Sequence, residues 1–251
     1  MLRRFHATEV EADVIRLIRR PLVEPSTEPP GPQPLSIDID RFSADVELLE
    51  GFSKEYGRWK LAGEAEAPRR GAKRIVLNAD SNSRPGDFLR LTAAITEDIA
   101  DMRLNLRAQE ASGGAIAGAL GYSPDQPFLA TAVINGEVVD AVVRTGDFTP
   151  LTIKGTYGPT QTNIAGFVDF SGSDLLDPFA RRIGRTAQFA LATAPDRNDD
   201  GLQGVGWRLV SENLTSRASG LIRMSDRSVP RGLRVSVSTP SLSRLVGRPA
   251  G

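Results

Sequence analysis

Cysteine is absent from this chain, which removes disulfides, thiolate metal sites and thiol nucleophiles together. Stability has to come from packing or from partners. Histidine is nearly absent: the one copy, His6, stands in an N-terminal segment expected to fray, which argues against a histidine general base and a histidine-rich metal site. Net charge is missing too. The 31 Lys and Arg balance the 31 Asp and Glu, so no overall field draws the chain to nucleic acid or to an anionic membrane. Aromatic residues make up 6% of the chain, with two tryptophans and three tyrosines, which leaves few platforms for stacking a ligand. No apolar run is long enough to span a bilayer. The most apolar stretch, GGAIAGALGY from Gly113 to Tyr122, has ten residues, four of them glycine. In MLRRFHATEVEADVIRLIRR, at the start, Glu9, Glu11 and Asp13 interrupt the apolar residues, so no signal peptide is expected and the chain reads as cytoplasmic or as part of a particle built there.

The motifs of common enzymes fail one by one. The Gly113 stretch has the glycine spacing of a phosphate loop, but Ala119 and Leu120 stand where Lys and Ser or Thr would touch phosphate and magnesium, so it is expected to be a flexible loop. In FSGSD (170–174) glycine lies between the serines instead of flanking one, and no histidine base is available; Ser171 and Ser173 read as turn and cap residues. Asp38 with Asp40, and Glu64 with Glu66, are carboxylate pairs at strand spacing. Glycosidases place their two acids on different elements across a cleft, so these pairs read as a solvated face, with a carboxylate-based hydrolase as the least favoured alternative.

What is present is a pattern of short strands. Thr8 and Glu11 match a capping box, and Val10, Val14, Leu17 and Ile18 recur at helical spacing, which predicts an amphipathic helix over 8–20 stopped by Pro21. Its apolar stripe would dock on the chain's own body or on a neighbouring subunit. With the residues around it this makes an N-terminal element over 1–23. A proline-rich arm, 24–36, follows and is expected to be extended. From Ile37 the period becomes two: Phe42, Ala44, Val46 and Leu48 alternate with polar residues, and Met102, Leu104, Leu106 and Ala108 do so again. Asn135-Gly136 between two β-branched runs predicts a type I′ hairpin. One short helix is expected over 171–184, with Ser173 as N-cap and Gly184 as stop. The strands of 37–240, in one or two β domains, predict an all-β fold, a β-sandwich or jelly roll, followed by a mobile tail over 241–251.

The run GFSKEYGRWKLAGE (51–64), the strand ending LNADSNS, then FLRLT and MRLNLRA resemble the front half of jelly-roll carbohydrate-binding modules of the galactose-binding-like fold, and TGDFTPLTIKGTY (145–157) resembles their penultimate strands. That resemblance covers about residues 40–170 and implies a non-catalytic binding module, often with a structural calcium; similar folds recur in phage tail and capsid appendages. Trp59 and Trp207 would then be the sugar-stacking side chains.

Asp196, Asn198 and Asp200, spaced by two and followed by Gly201, supply the first three oxygen ligands and the turn glycine of an EF-hand-like loop. Trp207 occupies the position where a bidentate acid would close the set, so a hairpin turn is favoured over a calcium site unless Glu212 or another strand contributes. The expectation is a non-enzymatic structural or attachment subunit of a larger assembly, such as a phage virion, without a cofactor. It would dock on protein neighbours through Val10, Val14, Leu17 and Ile18, with no nucleic-acid partner and no membrane span; a glycan-binding module is the alternative.

Overall fold

The computed structural model describes residues 4–20, 35–69, 71–96, 99–158, 160–196, 199, 201–223, 228–230 and 232–241. Nearly all of the proline arm and of the tail lies outside them. The chain divides into two units, residues 1–135 and 136–251.

The first unit begins with β1 (Arg4–Ala7) and β2 (Val10–Leu17), followed by β3 (Ser36–Leu48), β4 (Gly57–Ala67), β5 (Lys73–Ser81), β6 (Phe88–Ile95), β7 (Arg103–Glu110), α1 (Ala115–Ala119) and β8 (Phe128–Asn135). From β3 to β8 each strand pairs antiparallel with the next. The cross-strand row Ala44, Leu61, Ala79, Leu89, Ala108, Ala130 runs along one face. Small side chains in that row let the face close up, and Ala44, Ala79, Ala108 and Ala130 are buried. The period of two read from the sequence is thus the alternation between this apolar face and a charged one.

The predicted N-terminal helix does not form. Residues 4–17 instead run parallel to β3, with His6 beside Asp38 and Leu17 beside Leu48. The register slips between Ala12 and Val14, so Val10, Ala12, Ile15 and Leu17 share the face of Phe42, Ala44, Val46 and Leu48. One bulged residue converts a strand period into spacings of two, three and two, which hides the alternation and leaves a helix-like pattern behind. Four β-branched residues, Val10, Val14, Ile15 and Ile18, also favour the extended form once β3 offers its edge.

The loop expected at 113–120 contains a helix, α1, which packs on the core. Leu48, Trp59, Ala79 and Ala115 form the buried cluster, with Leu17, Val46, Phe52, Leu61, Leu89 and Ile116 against it. Glu110, 2% exposed, caps α1 by accepting the N–H groups of Ile116 and Ala117, each at 2.7 Å. Burial holds the Glu110 carboxyl above its ordinary range, against the pull of those two donors.

The second unit holds β9 (Val138–Thr145), β10 (Phe148–Tyr157), β11 (Thr162–Asp169), α2 (Asp177–Ile183), β12 (Thr186–Pro195), β13 (Leu202–Ser211), β14 (Thr215–Arg223) and β15 (Leu233–Ser238). Again each strand pairs antiparallel with its successor. Asn135 ends the first unit and Gly136, at φ 57°, opens the second in the left-handed region that the Asn-Gly turn requires. The predicted inserted helix is present and shorter, 177–183, with Leu176 at its N-cap and Gly184 as its stop. Ser173 is buried three residues before that cap and its carbonyl accepts the Leu176 N–H at 2.9 Å.

β3–β8 and β9–β15 are therefore up-and-down antiparallel meanders with a charged or polar face and an apolar face, and β1 and β2 add parallel strands at the β3 edge of the first. The all-β class stands. The Greek-key crossings that define a jelly roll are not among the described pairings.

Candidate functional site

The sequence-derived candidates scatter. Trp59 is 4% exposed in the core of the first unit, and its Nε1 has no acceptor, so it offers no face to a sugar. Trp207 lies on the apolar face of the second unit and stacks on Phe189 at 6.2 Å between ring centroids. Leu17 packs on the core cluster, while Val10, Val14 and Ile18 are exposed, Ile18 at 64%. The N-terminal segment is bound to its own unit: Leu49 N–H donates to the Leu17 carbonyl at 3.0 Å, and Arg20 donates to the carbonyls of Phe52 and Gly118 at 2.8 and 2.9 Å.

Asp196 and Asp199 bracket the turn between β12 and β13. The Asp196 N–H donates to the Leu202 carbonyl at 2.9 Å, and the Asp199 carboxylate accepts the Gly201 N–H at 3.0 Å, an Asx turn. Asn198 and Asp200 lie outside the described residues. Glu212 follows the far end of β13, about 30 Å along the strand from the loop, and cannot complete its ligand set.

Strand pairing does assemble the two carboxylate pairs. Asp38, Asp40, Glu64 and Glu66 line one cleft of about 140 Å³ with Arg74. His6 comes beside them on β1, its Nδ1 3.1 Å from Asp38 and its Nε2 3.9 Å from Asp40. Among the described residues His6, Asp38 and Asp40 are the group whose side chains could share a cation, with ligand atoms within 4.8 Å of one another. Cations of the chain already serve it. Arg4 holds Asp38 at 2.8 Å and Arg74 holds Glu64 at 3.0 Å, and the Arg4 hydrogen bond keeps the Asp38 carboxyl below its ordinary range. The acids sit on neighbouring strands of the sheet and are paired with the chain's own cations, which is the arrangement expected of a solvated ion-pair cluster.

The polar face of the second unit is different. One cross-strand row reads Asp140, Lys154, Ala165, Ala190, Arg208, Arg217. Its neighbour reads Thr152, Phe167, Gln188, Val210, Thr215. The two rows enclose a cleft of about 520 Å³ whose floor is Ala165 and Ala190 and whose ends are Lys154 and Arg208. Three strand intervals separate those ends, about 14 Å between backbones. Lys154 keeps one acid, Asp140, at 3.6 Å. Arg208 and Arg217 are direct cross-strand neighbours, and among the described residues neither has an ion pair or hydrogen bond; like charges so placed destabilise a sheet. By strand alternation the same face also carries Arg144, Arg223 and Arg234, against one further acid, Asp169.

Neutrality of the whole chain hides this segregation. Residues 1–135 hold 17 basic and 20 acidic side chains, and residues 136–251 hold 14 and 11. Counting per unit would have shown the sign of each half, but the rows above need the strand register. The remaining feature that sequence alone missed is an edge. β15 pairs with β14 on one side, and its other side has no hydrogen-bond partner among the described residues. All six of its residues are exposed, with Val235 at 60% and Val237 at 58%.

No protein-family model, no curated protein and no solved structure matches this chain.

Proposed function

We propose that the chain is a non-enzymatic structural subunit that joins copies of itself by adding strand to strand at the open edge of its second unit. The observation that carries this reading is β15. Soluble proteins blunt an edge strand with bulges, proline or inward charge. β15 runs in unbroken register from Leu233 to Ser238, with Leu233, Val235 and Val237 in alternation and a single charged residue, Arg234. Such a strand presents free backbone donors and acceptors beside an apolar stripe, the two things that β-strand addition uses. The exposed side chains Val10, Val14 and Ile18 on the N-terminal segment offer a second apolar surface for the same purpose. Docking through a helix held out on an arm, the route expected from the sequence, is replaced by docking through strands.

The test is the mass of the intact chain in solution against concentration. The wild-type chain is expected to self-associate in the micromolar range, and Val235→Lys with Val237→Lys is expected to return a folded monomer. A wild-type chain that remains monomeric at about 100 µM, or a doubly substituted chain that associates equally well, overturns the proposal.

A further inference from the structure

We propose that the cleft on the polar face of the second unit binds an acidic oligosaccharide, with Lys154 and Arg208 holding carboxylates at its two ends. The proposal goes beyond assembly and uses the face opposite the one that carries Val235 and Val237.

Three features carry it. First, the charge is unspent. Arg208 and Arg217 stand side by side with no ion pair among the described residues, at a cost to the sheet, while Arg58, Arg74 and Arg90 in the strands of the first unit each meet an acid. An anion seated between them and Lys154 would relieve that repulsion. Second, the floor is small. Ala165 and Ala190 sit in the same row as the cations, so long basic side chains rise on both sides of a flat strip two strands wide. Lys154 and Arg208 are rooted about 14 Å apart, so an elongated ligand charged at separate points can meet each cation at its own end of the strip. Third, the second row has the mixed chemistry of a sugar site. Phe167 and Val210 give apolar contact for C–H faces, and Gln188 and Thr152 offer donors and acceptors to ring hydroxyls.

The same features count against single-stranded nucleic acid, whose bases are held by stacking on successive aromatic rings. Phe167 is the one aromatic side chain in the two rows. A chain of uronic acids fits better because it alternates carboxylates with hydroxyl-bearing rings and asks for no stack of aromatics. This moves the carbohydrate site from the tryptophans to a basic cleft in which no tryptophan takes part.

The intact chain is titrated by calorimetry with tetragalacturonate, with the neutral tetrasaccharide maltotetraose and with an eight-residue thymidine oligonucleotide. Tetragalacturonate is expected to bind, with affinity that falls as salt rises. Arg208→Glu and Lys154→Glu are each expected to weaken it about tenfold or more, the equivalent of about 1.4 kcal/mol. Gln188→Ala should weaken it less. The circular dichroism spectrum and melting midpoint of each variant confirm that the sheet is intact. No binding of tetragalacturonate, equal binding of maltotetraose, tighter binding of the oligonucleotide, or tetragalacturonate affinity unchanged in both charge-reversed variants overturns the proposal. Self-association is read separately by mass, so failure here leaves the assembly proposal standing, and the reverse.

Discussion

On the charged face of the first unit, arginines meet acids: Arg58 with Asp45 at 2.9 Å, Arg74 with Glu64 at 3.0 Å, Arg90 with Asp80, and at the N-terminal edge Arg16 with Glu47 at 2.9 Å. On the corresponding face of the second unit, Arg208 meets Arg217. The two meanders are built by the same rule, yet the first pairs its arginines with acids, while the second pairs Lys154 with Asp140 and leaves Arg208 and Arg217 without an ion pair among the described residues. Each paired surface charge adds little to stability, typically under about 1 kcal/mol, so pairing is mainly a way to keep a face solvated and inert. A face that forgoes even that small gain is available for a ligand that supplies the missing acids. The interiors differ as well. The first unit closes one end with α1 and a buried carboxylate, whereas among the described residues of the second the apolar side chains are mostly half-buried, with Pro150, Ala187 and Leu202 as the buried exceptions.

The sharpest break in that comparison is Glu110→Ala. It leaves the N–H groups of Ile116 and Ala117 without acceptors in the interior and opens a cavity under Gly114, which packs on the Glu110 side chain. Two buried donors and the lost packing predict a loss of about 3 kcal/mol in unfolding free energy, measured by denaturant titration. Glu110 also sets a pH dependence. Its folded pKa is raised, so the fold binds its proton more tightly than the unfolded chain does. The contribution of Glu110 to stability is therefore fully present below the ordinary carboxylate value and is lost as pH rises through the raised one. Glu110→Gln should flatten that slope while retaining one of the two acceptor contacts. A loss below about 1 kcal/mol in the alanine variant would mean that α1 is held by its packing on Leu48 and Trp59 and not by the cap.

A smaller effect of opposite sign is expected in the second unit. Arg208→Glu turns a like-charge neighbour into an opposite one beside Arg217, and should raise stability by about 0.5 kcal/mol. The same change in the first unit, Arg90→Glu, breaks an existing pair with Asp80 and should lower it. A stabilised Arg208→Glu chain that no longer binds tetragalacturonate would display the trade between fold and ligand directly. Equal loss of stability in the two variants would erase the distinction between the faces.

Much of this was legible in the sequence, and the failures have physical causes. The strands around Phe42–Leu48 and 102–108 were readable because a half-buried sheet imposes a period of two with no interruption. The N-terminal strand was not, because the slip at Asp13 disrupted that period and because its partner β3 lies beyond a proline-rich segment. α1 was missed for a related reason. Gly113–Leu120 has no cap of its own, and the capping side chain is supplied by Glu110 from the preceding strand. The candidate sites fared worse than the elements. Trp59 looks like a platform by residue type and is a core residue by register, whereas Lys154, Arg208 and Arg217 are unremarkable until four strand pairings set them in one row. Local patterns report alternation, but a site on a sheet face is a product of register, which no single strand encodes.

The smallest effect concerns the N-terminal edge, where charge pairing is the device that fastens a strand. Asp38 accepts a hydrogen bond from Arg4 and faces His6, both on β1, and its carboxyl is held below the ordinary value of 3.8, chiefly by the Arg4 hydrogen bond. A depressed folded pKa means that the folded state prefers the ionised form. The contribution is thus present above the unfolded value and is lost as pH falls through the folded one. Amide protection in β1, normalised to that of β4, should therefore decline below about pH 3.8 while β4 stays protected. Asp38→Asn should show the weakened β1 at every pH. A β1 equally protected at pH 3 and pH 6 would assign its docking to backbone pairing with Ser36–Ile39 alone, and would make the paired charges of the first unit as dispensable to its fold as the unpaired ones are to the second.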